Sequence, residues 1–582
     1  MKRRSLMTYA IFVIPWIVVS LILVKVIPAF IFGRSWGERF NLLDQAFDAL
    51  FPLQFYRATY ISIVVFTLGY LLSIWGIRMS KKNYRPGAEY GDASWGNLSA
   101  INAVISARKE GENLILSETL RLNLDTWTHG RNCNVVVVGG SGSGKTRGYV
   151  KPNLLQGNTS YVILDPAGEI LRDNGGSLIR MGYTIRVIDL VNMERSDGYN
   201  PFDYIKSDND VFTLITALIK NTTPAGSSTS DPFWEKAESM LVSALMLLLH
   251  HFGNESEKNF KSLMILLSEA KGDQNKVNIL DDLFEYYNGY YPGNIASLTY
   301  NRFKSGADKT LQSIIITASA RLTRFDLPSL QELTNRDEMA FETYGDRKTA
   351  LFIKTPVVDS SFNFMAGMVY TQLFQTLYSV ADKEPLGHLK IPVHFLMDEF
   401  ANVRLPEDFE KILATSRKHW ILISIILQNV AQIKALYDKT WESLVGNCDT
   451  FIYLGGNEQS THEYISKALG KETIRTKTYQ VSKGGHGSTS TSYNQLGLDL
   501  MSPDQVRRLD NKKCIVMIRG ERPAIDEKYK LNKHPNIKTS VDGGGCFYLH
   551  KRKEKNNENR INEFVDCTAK YDTASGDNRS GE

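Results

Sequence analysis

Two long apolar segments lie near the amino-terminal end of the chain. Residues Leu6 to Val24 are uncharged, apolar residues continue after Lys25 to Phe32, and residues Ala58 to Ile77 are again uncharged. A helix needs about 20 apolar residues to cross a hydrocarbon core of roughly 30 Å. The pattern predicts a membrane anchor over residues 1-80 with two transmembrane helices, at about 6-32 and 58-77. A cleaved signal peptide fits the first segment less well, because the apolar stretch is too long and a second span follows.

Basic residues outside the two spans predict their orientation. The loop between the spans holds three arginines that acids balance, whereas the outer flanks are basic. The positive-inside rule therefore favours a multi-pass protein of the cell membrane, with both termini and the main body in the cytoplasm. The basic residues of the outer flanks are Lys2, Arg3, Arg4, Arg78, Lys81, Lys82 and Arg85.

Beyond the anchor, short β-branched apolar runs alternate with helical patterns, which is typical of an α/β fold with a parallel sheet. From Pro201 to about Thr334 the apolar spacing is helical and contains no convincing strand. We therefore predict an α/β domain formed by residues 81-204 and 335-540, with an all-α insertion domain at 205-334. A second domain fused in line is the alternative, and it is less favoured because strands resume afterwards. The predicted strands are 135–138, 160–165, 184–190, 349–354, 393–397, 421–427, 450–454 and 514–519.

Composition and charge add only weak constraints. The net charge of +5 on 582 residues neither requires nor excludes nucleic acid. The five cysteines form no CxxC pair, so the sequence indicates neither a disulfide framework nor a zinc site, and a reducing cytoplasm is the simplest setting. Residues Gln480 to Asn494 are rich in Ser, Thr and Gly, which predicts a mobile loop. The polar segment 541-582 predicts a disordered tail.

The strongest chemical signal is a glycine-rich phosphate-binding loop, or P-loop, at residues 139–146, directly after the valine run 135–138. It predicts that the α/β domain over 81–204 and 335–540 is a P-loop nucleotide-binding domain. Such a loop points backbone N–H groups at phosphate oxygens, at the positive end of the following helix. Lys145 is expected to reach the β- and γ-phosphates of ATP, and Thr146 is expected to hold Mg²⁺. The predicted nucleotide-binding residues are Gly139, Gly140, Ser141, Gly142, Ser143, Gly144, Lys145 and Thr146.

A second motif supplies the means of hydrolysis. The apolar run 393–397 ends in Asp398 and Glu399. In a P-loop ATPase, Asp398 would hold Mg²⁺ through its water shell and Glu399 would orient and deprotonate the attacking water. Strands that end in Asp-Glu are common, so this motif indicates ATP hydrolysis only in combination with the P-loop upstream.

Two further polar residues are candidates for catalysis. Gln428 follows the strand 421–427, where it either contacts the γ-phosphate or only caps the strand. Arg417 precedes that strand and is either an arginine finger for a neighbouring subunit's nucleotide or a solvated helix residue. The residues alone leave both alternatives open.

The ordered set of motifs resembles the type IV secretion coupling proteins of bacterial conjugation, and most closely those of Gram-positive conjugative elements. The likeness extends from the two spans to about Asn536. Arg417 and Gln428 fall in that family's order and spacing. The resemblance implies that Arg417 is an arginine finger for the nucleotide of the neighbouring subunit and that Gln428 senses the γ-phosphate. The segments that carry the resemblance are 90–96 (YGDASWG), the P-loop, 165–169 (DPAGE), 199–202 (YNPF), 231–234 (DPFW), 398–402 (DEFAN) and 446–449 (GNCD).

Two positions depart from that family's pattern. Ala167 stands where a lysine is common in the Asp-Pro-x-Gly-Glu segment, so the contact of that lysine is absent or replaced. After Asn402 the usual glycine-containing turn is missing. The turn that leads away from Glu399 is therefore expected to differ, although neither nucleotide acid is lost.

The resemblance implies a RecA-like, hexameric, membrane-anchored ATPase that uses ATP and Mg²⁺. It would receive relaxase-bound DNA, as a single strand or as a duplex, and feed it to the ATPases and membrane subunits of a type IV secretion channel. The insertion would recognise substrate proteins, and the pore would pass DNA. A basic cluster (Arg507, Arg508, Lys512 and Lys513) is either a DNA-backbone contact or a solvated face. A receptor that uses ATP only as an assembly switch is the alternative function, and a septal chromosome translocase fits less well.

Overall fold

The structure is a computed structural model, which describes residues 2–48, 56–80, 88–223, 232–270, 279–356, 360–403, 405, 408–481, 489–551 and 565–566. The chain divides into two compact units. One comprises Met1–Asp92 and Thr473–Gly497, and the other comprises Ala93–Glu472 and Leu498–Glu582.

The first unit contains three helices, α1 (Lys2–Phe32), α2 (Trp36–Asp48) and α3 (Arg57–Ser80). The stretches Val13–Phe32 and Arg57–Gly76 are long and apolar enough to cross a membrane. The indole N–H of Trp16 donates to Thr67 Oγ1 at 3.1 Å and joins α1 to α3. These two apolar helices agree with the predicted anchor.

Fifteen strands lie within the described residues, in chain order as follows. They are β1 (Asn113–Ile115), β2 (Arg121–Asn123), β3 (Val135–Val138), β4 (Ser160–Leu164), β5 (Thr184–Asp189), β6 (Thr349–Lys354), β7 (Val393–Met397), β8 (Ile421–Leu427), β9 (Thr450–Tyr453), β10 (Lys471–Val481), β11 (Thr489–Asp499), β12 (Lys513–Ile518), β13 (Ala524–Glu527), β14 (Phe547–Tyr548) and β15 (Val565–Asp566).

The second unit is built around a nine-stranded sheet in the order β13-β12-β9-β3-β8-β7-β4-β6-β5. The strands from β9 to β5 pair in parallel, and β12 runs antiparallel to both β9 and β13. Strands such as β3, β7 and β8 are buried along their whole length. A parallel sheet covered on both faces requires such continuous apolar runs, which is why the sequence pattern predicted these strands. The predicted α/β fold is confirmed.

Helices cover the sheet, and those between Ser207 and Thr334 share one hydrophobic core with it. Between Ser207 and Thr334 the described residues that form regular structure are all helical, and α9 packs against α8, α12 and α13. The predicted boundaries at 205 and 334 stay predictions. The α-helices of the second unit are α4 (Leu98–Ile105), α5 (Thr126–His129), α6 (Lys151–Gln156), α7 (Glu169–Arg180), α8 (Asp208–Thr222), α9 (Pro232–Phe252), α10 (Phe260–Glu269), α11 (Ile279–Tyr290), α12 (Ile295–Lys304), α13 (Asp308–Leu322), α14 (Pro328–Thr334), α15 (Asn363–Lys383), α16 (Phe409–His419), α17 (Val430–Leu436), α18 (Trp441–Gly446), α19 (Gln459–Leu469) and α20 (Pro503–Arg507).

The segment 541–551 is ordered, so the prediction of a disordered tail from residue 541 is wrong for this part. Tyr548 in β14 is 7% exposed, and its ring packs on Gly175 of α7. Asp542 accepts a hydrogen bond of 2.6 Å from the buried amine of Lys151. Burial of an aromatic ring and of an ion pair offsets the entropy of ordering this segment. The rest of the predicted tail, 552–564 and 567–582, lies outside the described residues.

Two other features differ from the sequence interpretation. Cys546 is disulfide-bonded, whereas Cys133, Cys448 and Cys514 are free and buried. Spacing along the chain did not indicate this bond. The loop predicted over 480–494 is wrong for residues 480, 481 and 489–494, which belong to β10 and β11. Residues 482–488 lie outside the described part of the chain.

Candidate nucleotide site

The glycine-rich loop lies at the carboxyl edge of the sheet, between the ends of two neighbouring strands. Its strand, β3, pairs with β8 on one side and β9 on the other. Gly139 N donates to the carbonyl of Leu427 at 3.0 Å, and Gly140 N donates to the carbonyl of Gly455 at 2.8 Å. The sheet thus fixes the start of the loop from both sides.

Glycine is required at several points of this loop. Gly142 and Gly144 have φ angles of 71° and 88°, in the left-handed region that other residues rarely adopt. A side chain at Gly139 would collide with Ser143 Oγ. Ser143 Oγ is buried and has no hydrogen-bond partner among the described residues, so an acceptor such as a phosphate oxygen fits there. The residues predicted to bind nucleotide, 139–146, thus form one continuous turn.

The backbone after the loop departs from a plain α-helix. Thr146–Val150 forms a π-helical turn, and α6 follows from Lys151. Such turns occur frequently at functional sites.

Lys145 lies over the loop. Its Nζ donates to the carbonyls of Gly139 at 2.7 Å and Gly140 at 3.1 Å. Burial lowers the pKa of Lys145, while the carboxylates of Asp398 and Glu399 act in the opposite direction. A cation held beside amide groups at this edge suits a polyphosphate.

The two residues predicted to hold Mg²⁺ meet in the structure. Thr146 Oγ1 donates to Asp398 Oδ2 at 3.1 Å, although the two are 252 positions apart in the sequence. Burial raises the pKa of Asp398, and the hydrogen bond from Thr146 lowers it. Hydroxyl and carboxylate oxygens are ligands that Mg²⁺ prefers, and a dication would stabilise the ionised form of this acid.

Glu399 follows Asp398 with φ at 55°, an uncommon conformation for a residue with a side chain. Asn402 Nδ2 donates to Glu399 Oε2 at 2.9 Å, and Asn363 Nδ2 donates to the carbonyl of Asn402 at 2.6 Å. The segment 400–402 forms a short 3₁₀ turn. The carboxylate is therefore positioned by Asn402 without the glycine-containing turn whose absence the sequence showed.

The structure separates the two remaining candidates. Gln428 follows β8 at the same edge as the P-loop, because Leu427 pairs with Val138, and its side chain is exposed. Arg417 lies in the last turn of α16, before β8 begins, and so at the opposite edge of the sheet. Its Nη2 donates to the carbonyl of Thr126 at 2.9 Å, and its guanidinium carbon lies 5.3 Å from the ring centroid of Trp127. Within this chain, Arg417 is not part of the P-loop cluster.

The basic cluster near residue 510 is partly neutralised. Arg507 and Arg508 both contact Asp504, at 3.3 and 2.6 Å, on an exposed helix. This pairing favours the interpretation of the cluster as a solvated face.

A lysine from another strand lies beside the Asp-Pro-Ala-Gly-Glu segment. A side chain at Gly168 would come 2.7 Å from Lys354 Cε, and Lys354 Nζ donates to Asp189 Oδ2 at 2.5 Å. Burial raises the pKa of Asp165, at the start of the segment, to about 6. Position 167 is an alanine, but Lys354 of β6 therefore lies next to this segment.

Sequence reasoning missed Lys528, which supports the P-loop from the far end of the chain. Its Nζ donates to the carbonyl of Ser143 at 2.7 Å, and burial lowers its pKa. The two residues are 385 positions apart. No local pattern marks such a contact.

Replacing Lys528 by Met is expected to weaken nucleotide binding about tenfold, because a hydrogen bond from a charged group contributes roughly 1.5–3 kcal/mol. Equilibrium titration with a fluorescent ATP analogue measures the effect. Lys530→Met is the matched control, since Lys530 is exposed and pairs with Glu527 rather than with the loop. If Lys528→Met and Lys530→Met bound the nucleotide with equal affinity, the inference that Lys528 supports the P-loop would be wrong.

Comparison with known protein families gives one extensive match. A family model described as "Type IV secretory system Conjugative DNA transfer" matches residues 94–564.

Individual relatives are distant. Protein VirD4 of Rhizobium rhizogenes is 23% identical over 414 residues, which cover 68% of this chain and 58% of VirD4. Conjugal transfer protein TraG of Rhizobium radiobacter is 23% identical over 407 residues, which cover 67% of this chain and 60% of TraG. The chain thus spans less than two thirds of the length of these curated relatives.

Solved structures show the same fold at low sequence identity. The unbound bacterial conjugative coupling protein TrwBdeltaN70 matches with a TM-score of 0.55 and 17% identity, covering 77% of this chain and 97% of that one. TrwB in complex with the ATP analogue ADPNP gives 0.55 and 15%, covering 78% and 98%. TrwB in complex with ADP and Mg²⁺ gives 0.53 and 15%, covering 76% and 95%.

Proposed function

Because the chain belongs to the type IV secretory system conjugative DNA transfer family, we propose that it is a membrane-anchored ATPase that drives DNA into a type IV secretion channel. The observation that carries the proposal is the contact of Thr146 Oγ1 with Asp398 Oδ2, which brings the two halves of an ATP site together. TrwB complexes with ADPNP and with ADP and Mg²⁺ support ATP and Mg²⁺ as the ligands.

Each residue of the site has a chemical role in this proposal. Mg²⁺ would be held by Thr146 and Asp398 and would neutralise phosphate charge when bound. Lys145 exchanges the carbonyls of Gly139 and Gly140 for phosphate oxygens and stabilises the negative charge that develops during transfer. Glu399, held by Asn402, orients the attacking water and takes its proton on a carboxylate oxygen. Gln428, at the end of the neighbouring strand, senses the γ-phosphate.

The membrane anchor is the hairpin of α1 and α3. Both helices carry many exposed apolar side chains, including Ile14 of α1 at 58% and Val65 of α3 at 64%. Exposed apolar surface of this extent is typical of lipid contact. With basic residues on the outer flanks, both termini and the ATPase body lie in the cytoplasm.

The proposed partners follow from the family. The protein acts as a homo-hexamer with relaxase-bound DNA and with the ATPases and membrane subunits of the channel. The helical region from 205 to 334 receives the substrate protein, and DNA passes through the ring. The association with Gram-positive elements stays a prediction.

Steady-state ATP hydrolysis by the full-length protein, reconstituted in lipid, tests the proposed function. The rate is measured with and without single-stranded DNA, in the wild type and in a hydrolysis-deficient variant. We expect turnover that DNA stimulates. An oligomeric wild type that binds ATP without turnover, whether or not DNA is present, would support the receptor that uses ATP as an assembly switch.

Mixing two inactive variants tests Arg417 as a finger that acts on the neighbouring subunit. Oligomers of Arg417→Ala alone and of Lys145→Ala alone are expected to be inactive. A mixture restores part of the activity, because some interfaces then combine an intact Lys145 with an intact Arg417 from the neighbour. Mixed oligomers that stay inactive would show that Arg417 only supports its own chain, through Thr126 and Trp127. Native mass spectrometry confirms that subunits have mixed.

A further inference from the structure

The two-stranded sheet of β10 and β11 has one basic and aromatic face. Side chains of a strand alternate between faces, so Arg475 and Lys477 lie on the same side. Lys477 Nζ is 5.6 Å from the ring centroid of Tyr493, which places Tyr493 on that side too. Arg475 and Tyr493 line one shallow cavity together with Tyr90. Both basic side chains are exposed, and Tyr493 is 71% exposed. We call Tyr90, Arg475, Lys477 and Tyr493 the hairpin face.

The hairpin segment itself carries positive charge and no acid. Between Thr473 and Gly497 there are three Lys or Arg residues and no acid. Residues 77–92, which follow the second apolar stretch and include Tyr90, hold four more together with two acids, Glu89 and Asp92. Both segments belong to the compact unit that contains the two apolar helices. An unrelated solvent-exposed surface would normally carry charges of both signs.

The base of the hairpin is tied to the chain that leaves the second apolar helix. Tyr90 N donates to Thr473 Oγ1 at 3.0 Å, and Thr473 Oγ1 donates to the carbonyl of Gly91 at 2.9 Å. A side chain at Gly497 would come 2.8 Å from Tyr90 Cβ, so β11 packs directly on this segment.

Chain length limits how far this tie lies from the membrane. Tyr90 lies ten positions after Ser80, the last residue of α3. Ten residues span at most about 36 Å when fully extended. A strand of eleven residues, the length of β10, is also about 36 Å long. The hairpin is therefore fastened within about one of its own lengths from the membrane end of α3.

We propose that the hairpin face binds the anionic phosphate headgroups of the lipid bilayer that holds α1 and α3. A guanidinium binds phosphate through two parallel hydrogen bonds, and tyrosines are enriched at the interface of membrane and water. Each cation near an anionic leaflet strengthens binding about fivefold. Single-stranded DNA has the same phosphate chemistry, but the tie to α3 puts lipid phosphates within reach at all times. The proposal rests on the membrane anchor proposed above.

Hydrogen–deuterium exchange of the full-length protein in lipid nanodiscs tests this proposal. The discs contain either phosphatidylcholine alone or phosphatidylcholine with phosphatidylglycerol. We expect backbone amides of 474–478 and 492–496 to exchange about tenfold more slowly in the anionic discs. The double variant Arg475→Gln with Lys477→Gln is expected to lose this protection. The double variant Thr476→Glu with Thr478→Glu changes the net charge by the same amount on the opposite face and is expected to retain it.

The outcomes separate the possible ligands. Equal exchange in neutral and anionic discs overturns the proposal, and so does protection that survives Arg475→Gln with Lys477→Gln. Protection that arises only when an oligonucleotide is added, in neutral discs, assigns the face to DNA instead. Extraction of the protein from membranes by alkaline carbonate would overturn the anchor itself, and with it the lipid contact. A protein that stays integrated without lipid-dependent protection overturns the lipid contact alone.

Discussion

Replacing Glu399 by Gln is expected to leave ATP binding intact and to lower the rate of ATP hydrolysis by about 10²–10⁴-fold. Glutamine keeps the size of the side chain and an oxygen that accepts from Asn402 Nδ2, so the geometry around position 399 is retained. What it lacks is a carboxylate that can take a proton from water. Because this role belongs to the chemical step, kcat falls while nucleotide affinity does not. Single-turnover hydrolysis and nucleotide titration measure the two quantities separately.

Glu410→Gln serves as the control for that experiment. Glu410 lies at the start of α16, and its Oε1 accepts a hydrogen bond from Ser443 Oγ. The Glu410→Gln variant is expected to hydrolyse ATP at the wild-type rate. If Glu399→Gln also hydrolysed ATP at the wild-type rate, another group would have to be the base.

Replacing Lys145 by Ala is expected to lower kcat/KM for ATP by at least about 100-fold, since it removes a charge-assisted contact of roughly 1.5–3 kcal/mol in binding and a further one in the transition state. In contrast to Glu399→Gln, this variant loses nucleotide affinity as well as turnover. Fluorescent-nucleotide binding and steady-state hydrolysis together distinguish the two variants.

Arg147→Ala is the matched control for Lys145→Ala. Arg147 is two residues further along, and its side chain is 73% exposed, with an ion pair of 3.4 Å to Asp542. We expect it to bind and hydrolyse ATP like the wild type. Retained turnover in Lys145→Ala would mean that the lysine stays on the carbonyls of Gly139 and Gly140 throughout the cycle.

The sequence predicted those parts of the site that depend on local patterns. The valines of β3 and the apolar run of β7 are buried on both faces, so each forms a continuous apolar segment that ends in its functional residues. The contact between Thr146 and Asp398 then follows from the rule that ligands bind at the carboxyl ends of parallel strands.

The parts that sequence reasoning missed depend on contacts between distant segments. Lys528 reaches Ser143 only after the antiparallel strands β12 and β13 have extended the sheet. Tyr548 is one aromatic residue in a polar segment, and its burial depends on the space left at Gly175. The strand β11 begins with Thr and Ser residues, and apolar and polar residues alternate only weakly along it. The Ser, Thr and Gly content of the segment therefore predicted a loop instead of a strand.

The central place of β3 in the sheet also has a consequence for synthesis of the protein. The two neighbours of β3 are β8 and β9, which are encoded several hundred residues later. At about 5–20 residues per second, a ribosome needs roughly 15–60 s to pass from β3 to β9. During that interval the nascent chain already contains the apolar helices, but the two strands that flank β3 and hold the start of the P-loop are not yet complete. The complete nucleotide site therefore forms only after β9 has been synthesised, long after the two apolar helices have left the ribosome.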